Sequence, residues 1–70
     1  MKIKEIEKRI NGRQPFFKEE LSEIKNAFKN NLIEHEEYGF IQVGEIYFCY
    51  RNKAEREEIE VTLCELSMMM

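Results

Sequence analysis

Residues 40–51, FIQVGEIYFCYR, are rich in β-branched and aromatic side chains, and they decide which fold we expect. Gly44 and Glu45 interrupt this stretch near its centre. A two-residue loop with glycine first is typical of a type II′ hairpin turn, which needs a positive φ at that position. We therefore predict two antiparallel strands joined at this loop, with Val43 opposite Ile46. One long strand with a bulge at Gly44 is the alternative interpretation.

A third strand is predicted downstream, in the segment EIEVTLCEL at residues 58–66. Apolar residues recur there at every second position, which is the spacing of one face of a strand. The charged segment RNKAERE, residues 51–57, would form the connection. Both predicted hairpins place their large apolar residues on the same face, and this agreement supports the assignment. The predicted inner face consists of Ile41, Val43, Ile46, Phe48, Tyr50, Ile59, Val61 and Leu63.

Two amphipathic helices are predicted ahead of the sheet, because apolar residues recur there every three or four positions. The first spans residues 2–10 and ends at Asn11 and Gly12, which tolerate the left-handed conformation of a helix C-terminus. The second has Pro15 in its first turn, where a missing N–H costs nothing, and closes near Asn31. The apolar stripes are Ile3, Ile6 and Ile10 in the first helix and Phe17, Leu21, Ile24 and Phe28 in the second.

The predicted fold is therefore α+β, with two N-terminal helices followed by a three-stranded antiparallel β-meander, in the order α-α-β-β-β. Seventy residues form one small domain, residues 1–70, with a frayed tail at residues 67–70. A chain of this size buries only about 60% of its unfolded surface, so its stability margin is small. Association with a second copy is one common remedy.

The outer face of the predicted sheet has an aromatic centre that something must cover. Either the first helix crosses this face or a partner does, and the sequence leaves both alternatives open. Tyrosine and phenylalanine are enriched in the cores of protein interfaces. We therefore predict a partner-binding surface with a rim of glutamates. Its residues are Tyr38, Phe40, Tyr47, Cys49, Glu58 and Glu60.

The composition argues against an enzyme. The chain has no aspartate and a single histidine, His35, so a Ser-His-Asp arrangement cannot be assembled. Its three glycines stand apart, which excludes a glycine-rich phosphate loop. His35 lies in the acidic segment EHEEY and is interpreted as a solvated loop residue, with a pH-sensing role as the alternative. We expect no catalytic residues and no cofactor.

Cys49 and Cys64 are too few for the disulfide framework of a secreted protein. They also lack the close C-x₂₋₄-C spacing of structural zinc sites, so no metal is expected. We interpret them as small apolar side chains with reduced thiols in a cytoplasmic protein, and a redox or metal role stays open. No segment resembles a signal peptide or the roughly 20 apolar residues of a membrane-spanning helix, so no membrane association is expected.

Charge is distributed unevenly along the chain. Residues 1–18 carry six basic and two acidic side chains, whereas residues 19–70 carry five basic and twelve acidic ones. A basic amphipathic helix can lie against nucleic acid, and this is the alternative function that we consider. It lacks aromatic side chains for base stacking, which argues against that alternative. Its contact residues would be Lys2, Lys4, Lys8, Arg9 and Arg13.

These observations favour a small non-catalytic binding or regulatory protein that acts by protein–protein contact. We expect a homodimer, formed through the outer sheet face or the adjacent helix. The glutamates around that face predict a basic protein surface as a further partner.

Overall fold

The structure is a computed structural model that describes residues 2–68. Its elements are α1 (Ile3–Asn11), β1 (Phe16–Phe17), a 3₁₀ turn (Lys18–Glu20), α2 (Leu21–Lys29), β2 (Gly39–Val43), β3 (Ile46–Tyr50) and α3 (Lys53–Met68). The strands form one antiparallel sheet in the order β1-β3-β2. The predicted tail lies partly within α3, and residues 69 and 70 are outside the described residues.

The hairpin around Gly44 is confirmed, together with its register. Val43 pairs with Ile46, and Gly39 pairs with Tyr50 at the other end of the two strands. Gly44 has a φ of 62°, which glycine adopts without the steric cost of a side chain. A turn at this glycine, rather than a bulge in one long strand, therefore separates β2 from β3.

Residues 58–66, predicted as a third strand, instead belong to α3, so the α-α-β-β-β order is wrong. The helix begins after Asn52, whose side-chain oxygen accepts a hydrogen bond from the main-chain N–H of Glu55 at 2.8 Å. This contact satisfies one of the N–H groups that a first helical turn leaves free. Ile59 and Leu63 are four residues apart and share one face of the helix. One of the three described helices therefore follows the sheet.

The third strand of the sheet is the short segment Phe16–Phe17, between α1 and α2. Its two residues pair with Tyr47 and Ile46 of β3, which places β3 at the centre of the sheet. The sheet is therefore not a simple meander. Pro15 precedes this strand, and α2 begins later than the sequence predicted.

Both N-terminal helices end with a residue in the left-handed conformation, Arg13 in one case and Asn31 in the other, with φ of 54° and 56°. After α2, the N–H of Asn31 donates to the carbonyl of Phe28 at 3.0 Å. The next N–H, that of Leu32, donates to Ala27 at 2.9 Å. This pair of bonds is a Schellman motif, which satisfies the last carbonyls of a helix. Both helices end close to the predicted positions, but the left-handed residue after α1 is Arg13, not Asn11 or Gly12 as predicted.

The core lies between α1, α2 and one face of the sheet. Phe16 and Ile24 are completely buried, at 0% exposure, so β1 and α2 both contribute to its centre. The buried cluster consists of Ile6, Ile10, Phe16, Ile24, Ala27, Phe28, Ile33 and Cys49. Ile3, Leu21 and Phe40 pack against it.

The two faces of the hairpin have exchanged the roles that we predicted for them. Cys49 is buried and Phe40 packs against the core, so the face predicted to be outer meets α1 and α2. Phe48, predicted to be inner, instead lines a small cavity with Ile59 and Leu63 of α3. The reason is that residues 58–66 cover one side of the sheet as a helix instead of extending it as a strand.

Candidate interaction surface

The six residues predicted to bind a partner do not share one surface. Phe40 and Cys49 lie on the sheet face that packs on α1 and α2, and Cys49 is only 3% exposed. Glu58 and Glu60 lie on α3, which covers the opposite face. Tyr38 and Tyr47 remain partly accessible at the edge of the core. The aromatic surface with a glutamate rim is therefore not formed, because α3 is not a strand of this sheet.

Tyr38 belongs to an aromatic cluster with Phe28 and His35. Its ring stacks on Phe28, with ring centroids 4.4 Å apart and an interplanar angle of 8°. The imidazole of His35 meets both rings edge to face, at 5.0 and 5.2 Å. Its Nδ1 lies 2.9 Å from the carbonyl oxygen of Ile33, which can only accept, so Nδ1 carries a proton in this contact. His35 is thus a half-buried loop residue that packs on two rings, whereas we interpreted it as a solvated loop residue.

The two cysteines occupy different environments, and both are free thiols. Burial raises the pKa of Cys49 to about 12, and the nearby carboxylate of Glu55 acts in the same direction. The thiolate is the reactive form, so the thiol of Cys49 is unreactive near neutral pH. Cys64 is exposed on α3. Within residues 2–68, no group of three histidine, cysteine or acidic side chains is arranged to hold a metal ion.

Every arginine of the chain forms an ion pair with a glutamate. Arg9 contacts Glu20 at 2.6 Å and also lies over the ring of Phe16, 4.3 Å from its centroid. This contact lowers the pKa of Glu20. The remaining pairs are Arg13 with Glu55 and Glu58, Arg51 with Glu55, and Arg56 with Glu60. Two of the residues predicted to contact nucleic acid, Arg9 and Arg13, are therefore engaged in contacts within the fold.

The other residues of that prediction are exposed lysines: Lys2 lies just before α1, and Lys4 and Lys8 lie within it. The structure therefore divides the predicted basic surface into two parts. Its lysines face solvent, while its arginines connect α1 to the 3₁₀ turn and to α3.

An apolar surface is present on the sheet face that α3 covers only in part. The register aligns Phe17, Ile46 and Val43 in one row across the three strands, with Phe48 and Ile41 in the next row. Side chains two residues apart on a strand point to the same side, so these five residues share one face. We call it the open sheet face. Phe17 is 51% exposed and Val43 is 40% exposed.

The helix α3 covers only one end of this face. Ile59, at 4% exposure, is buried, and Leu63 contributes to the cavity beside Phe48. The row that contains Phe17 and Val43 stays accessible. None of the strand residues on this side of the sheet is charged, in a chain in which 36% of all residues are charged. An uncharged, partly exposed row of this kind is typical of an interaction surface.

Comparisons with protein-family models, with curated proteins and with solved structures find no match for this chain. Among the described residues, no helix combines the length and the apolar character needed to cross a membrane.

Proposed function

We propose that this chain is a small non-catalytic binding protein that acts by protein–protein contact, and that the open sheet face pairs with a second copy of the chain. The observation that carries this proposal is the accessible row of Phe17, Ile46 and Val43 beside a helix that covers only part of the sheet. Removing such side chains from water is favourable, at roughly 25 cal/mol per Å² of apolar surface.

A second copy is the partner whose chemistry matches this face. The face carries no charge, so it offers nothing to a basic or acidic partner and needs an apolar surface opposite it. A twofold axis parallel to β3 would place Phe17 of one copy against Val43 of the other, because these residues lie on either side of the central strand. Such a twofold contact uses the same surface on both subunits.

The size of the face predicts a weak dimer. Two strands of five residues and one of two, about 4.8 Å apart, span roughly 200 Å². A standard interface buries roughly 800 Å² on each partner, so flanking parts of the molecule must contribute as well. We therefore expect a dimer that dissociates on dilution.

A basic protein surface is the further partner that we propose. The exposed side of α3 brings Glu57 and Glu65 beside Val61, which is 56% exposed, while Glu58 at the same site is paired with Arg13. Carboxylates around an apolar residue complement a partner with lysines or arginines. The two free thiols fit a reducing compartment, and a cytoplasmic location is part of the same proposal.

The experiment is sedimentation or light scattering of the full chain over a wide range of concentrations. We expect the average mass to rise with concentration towards that of a dimer, and Val43→Glu or Phe17→Glu to hold the chain at the monomer mass. Leu32→Glu is the matched control, because Leu32 is 57% exposed outside the strands and the substitution changes charge equally. A monomer at every concentration would refute the dimer, and an equal effect of the control would refute the open sheet face as its interface.

A further inference from the structure

A second surface of the molecule has the opposite chemistry. A groove of about 630 Å³ runs beside α2, on the side of the sheet away from the open sheet face. Three lysines and two tyrosines line it, and none of its described lining residues is acidic. These residues are Lys18, Lys25, Lys29, Tyr38 and Tyr47. We call it the lysine–tyrosine groove. A basic groove is unexpected in a chain with a net charge of −3.

The lysines of the groove are available to an anionic ligand. In the described part of the chain, none of Lys18, Lys25 and Lys29 forms an ion pair, whereas all four arginines do. The one partner of Lys25 is an aromatic ring, that of Phe40, whose centroid lies 6.0 Å from the ammonium nitrogen. Lys25 and Lys29 are four residues apart on α2 and therefore about 6 Å apart along the helix axis. Among the described residues, no carboxylate lies within ion-pair distance of these lysines.

The fold positions both tyrosines of the groove, Tyr38 through a ring contact and Tyr47 through its place in the sheet. Tyr38 is stacked on Phe28 and is 38% exposed, so part of its side chain is accessible from the groove. Tyr47 lies in the central strand, paired with Phe16 on one side and Gln42 on the other. A ring held by stacking, as that of Tyr38 is, loses little conformational freedom when a planar group stacks on it.

We propose that the lysine–tyrosine groove binds single-stranded nucleic acid. The lysines contact successive phosphates, and the two tyrosine rings stack with bases. Sites for single strands combine these two features, a positively charged groove and fixed aromatic side chains. A duplex hides the faces of its bases and cannot use the rings. A phosphopeptide site favours the forked geometry of arginine, and the arginines of this chain are already paired within the fold.

The experiment is a fluorescence-anisotropy titration of a labelled 12-nucleotide oligothymidine with the full chain, at several salt concentrations. With three phosphate contacts, the slope of log K against log salt should be about −2, since each contact on a single strand contributes about −0.7. Lys25→Gln combined with Lys29→Gln should weaken binding and bring the slope close to about −0.7. A duplex of the same length should bind far more weakly.

The matched control is Lys4→Gln combined with Lys53→Gln, which removes the same two charges from exposed lysines outside the groove. It should leave both affinity and slope unchanged. An equal loss of affinity in this control would mean that binding depends on the overall charge of the chain and not on the groove. The proposal would then be wrong.

Stacking has its own readout, because the chain contains three tyrosines and no tryptophan. Oligonucleotide binding should quench tyrosine fluorescence, and Tyr38→Leu, which keeps an apolar contact with Phe28, should weaken binding by about tenfold or more. Thermal unfolding of this variant checks that it is folded. If the variant is not folded, the quenching of tyrosine fluorescence in the unmodified chain decides whether the rings stack on bases. Heparin that binds as tightly as the oligonucleotide, together with an absence of quenching, would overturn the proposal.

Discussion

Glu55 accepts three hydrogen bonds from Arg51, one from the main-chain N–H at 2.8 Å and two from the guanidinium at 3.0 and 2.6 Å. The same guanidinium donates to the side-chain oxygen of Asn11 at 2.6 Å. This single cluster therefore connects the end of α1, the end of β3 and the first turn of α3. The hydrogen bonds from Arg51 keep the pKa of Glu55 below its ordinary value of 4.5.

Glu55→Gln tests this cluster. Glu55 is 8% exposed, and hydrogen bonds between charged groups contribute more than neutral ones. We expect the free energy of unfolding to fall by about 2 kcal/mol at pH 7. Because the pKa of Glu55 is depressed in the folded state, its stabilisation is present above pH 4.5 and is lost as the pH falls through the folded value. The difference between the two proteins should therefore shrink on acidification.

Denaturant unfolding at pH 7, pH 4 and pH 3 provides the measurement. Glu57→Gln serves as the control, since Glu57 is an exposed glutamate on the same helix. It should change stability little at any of these values. A loss for Glu55→Gln that is as large at pH 3 as at pH 7 would contradict the assigned role of the charge.

Substitutions at Asn31 test the energetic cost of the left-handed conformation at the end of α2. Residues other than glycine are strained in this conformation, although asparagine tolerates it better than alanine does. We expect Asn31→Ala to lower the free energy of unfolding by about 1 kcal/mol, and Asn31→Gly to preserve or raise it. Asn30→Ala is the matched control, because Asn30 has an ordinary φ of −91°. Equal losses for the alanine variants at both positions would speak against the strain argument.

The thiols provide a test of burial. With its pKa raised to about 12, Cys49 should resist alkylation in the folded protein, whereas the exposed Cys64 should react at pH 8. Thiol titration should therefore count one reactive group per folded chain and two in denaturant. Two groups that react at the same rate without denaturant would show that Cys49 is accessible.

The N-cap of α3 is tested by Asn52→Ala. The side chain of Asn52 accepts a hydrogen bond from the N–H of Glu55, so its removal should cost about 1 kcal/mol of stability. Asn52→Asp keeps an acceptor in place and should restore most of the loss. Thermal unfolding monitored by far-UV circular dichroism measures both. An alanine variant as stable as the starting protein would mean that the cap is not needed.

The hairpin was predictable because its signals are local. Gly44 and the residues on either side of it determine the turn and hence the register of β2 and β3. The grouping of Ile41, Val43, Ile46 and Phe48 on one face was correct for the same reason. Which face meets the helices was not predictable, since both faces of these strands carry large apolar side chains.

The third helix was missed because its apolar residues satisfy two patterns at once. Ile59, Val61 and Leu63 alternate as in a strand, while Ile59 and Leu63 also have helical spacing. Val61 is 56% exposed in the structure, so it is not part of a buried strand face. The deciding signal was Asn52 followed three residues later by Glu55, a helix-start signature.

The sequence carried no comparable signal for β1. A two-residue strand is too short for a period, and its pairing depends on residues far along the chain. Phe17 consequently appeared to continue the stripe of α2. The open sheet face could not be located without this strand, because Phe17 forms its exposed edge.

The position of β1 also determines how the chain reaches its native state. The hairpin of β2 and β3 contains only local contacts and can close in about 1–10 μs. Phe16, however, pairs with Tyr47 across an intervening segment that contains α2 and β2. The entropic cost of bringing these distant residues together comes before the gain from burying the Phe16 ring. We therefore expect the docking of Phe16 to limit the folding rate, so that α1 and α2 assemble on the sheet in a single cooperative step.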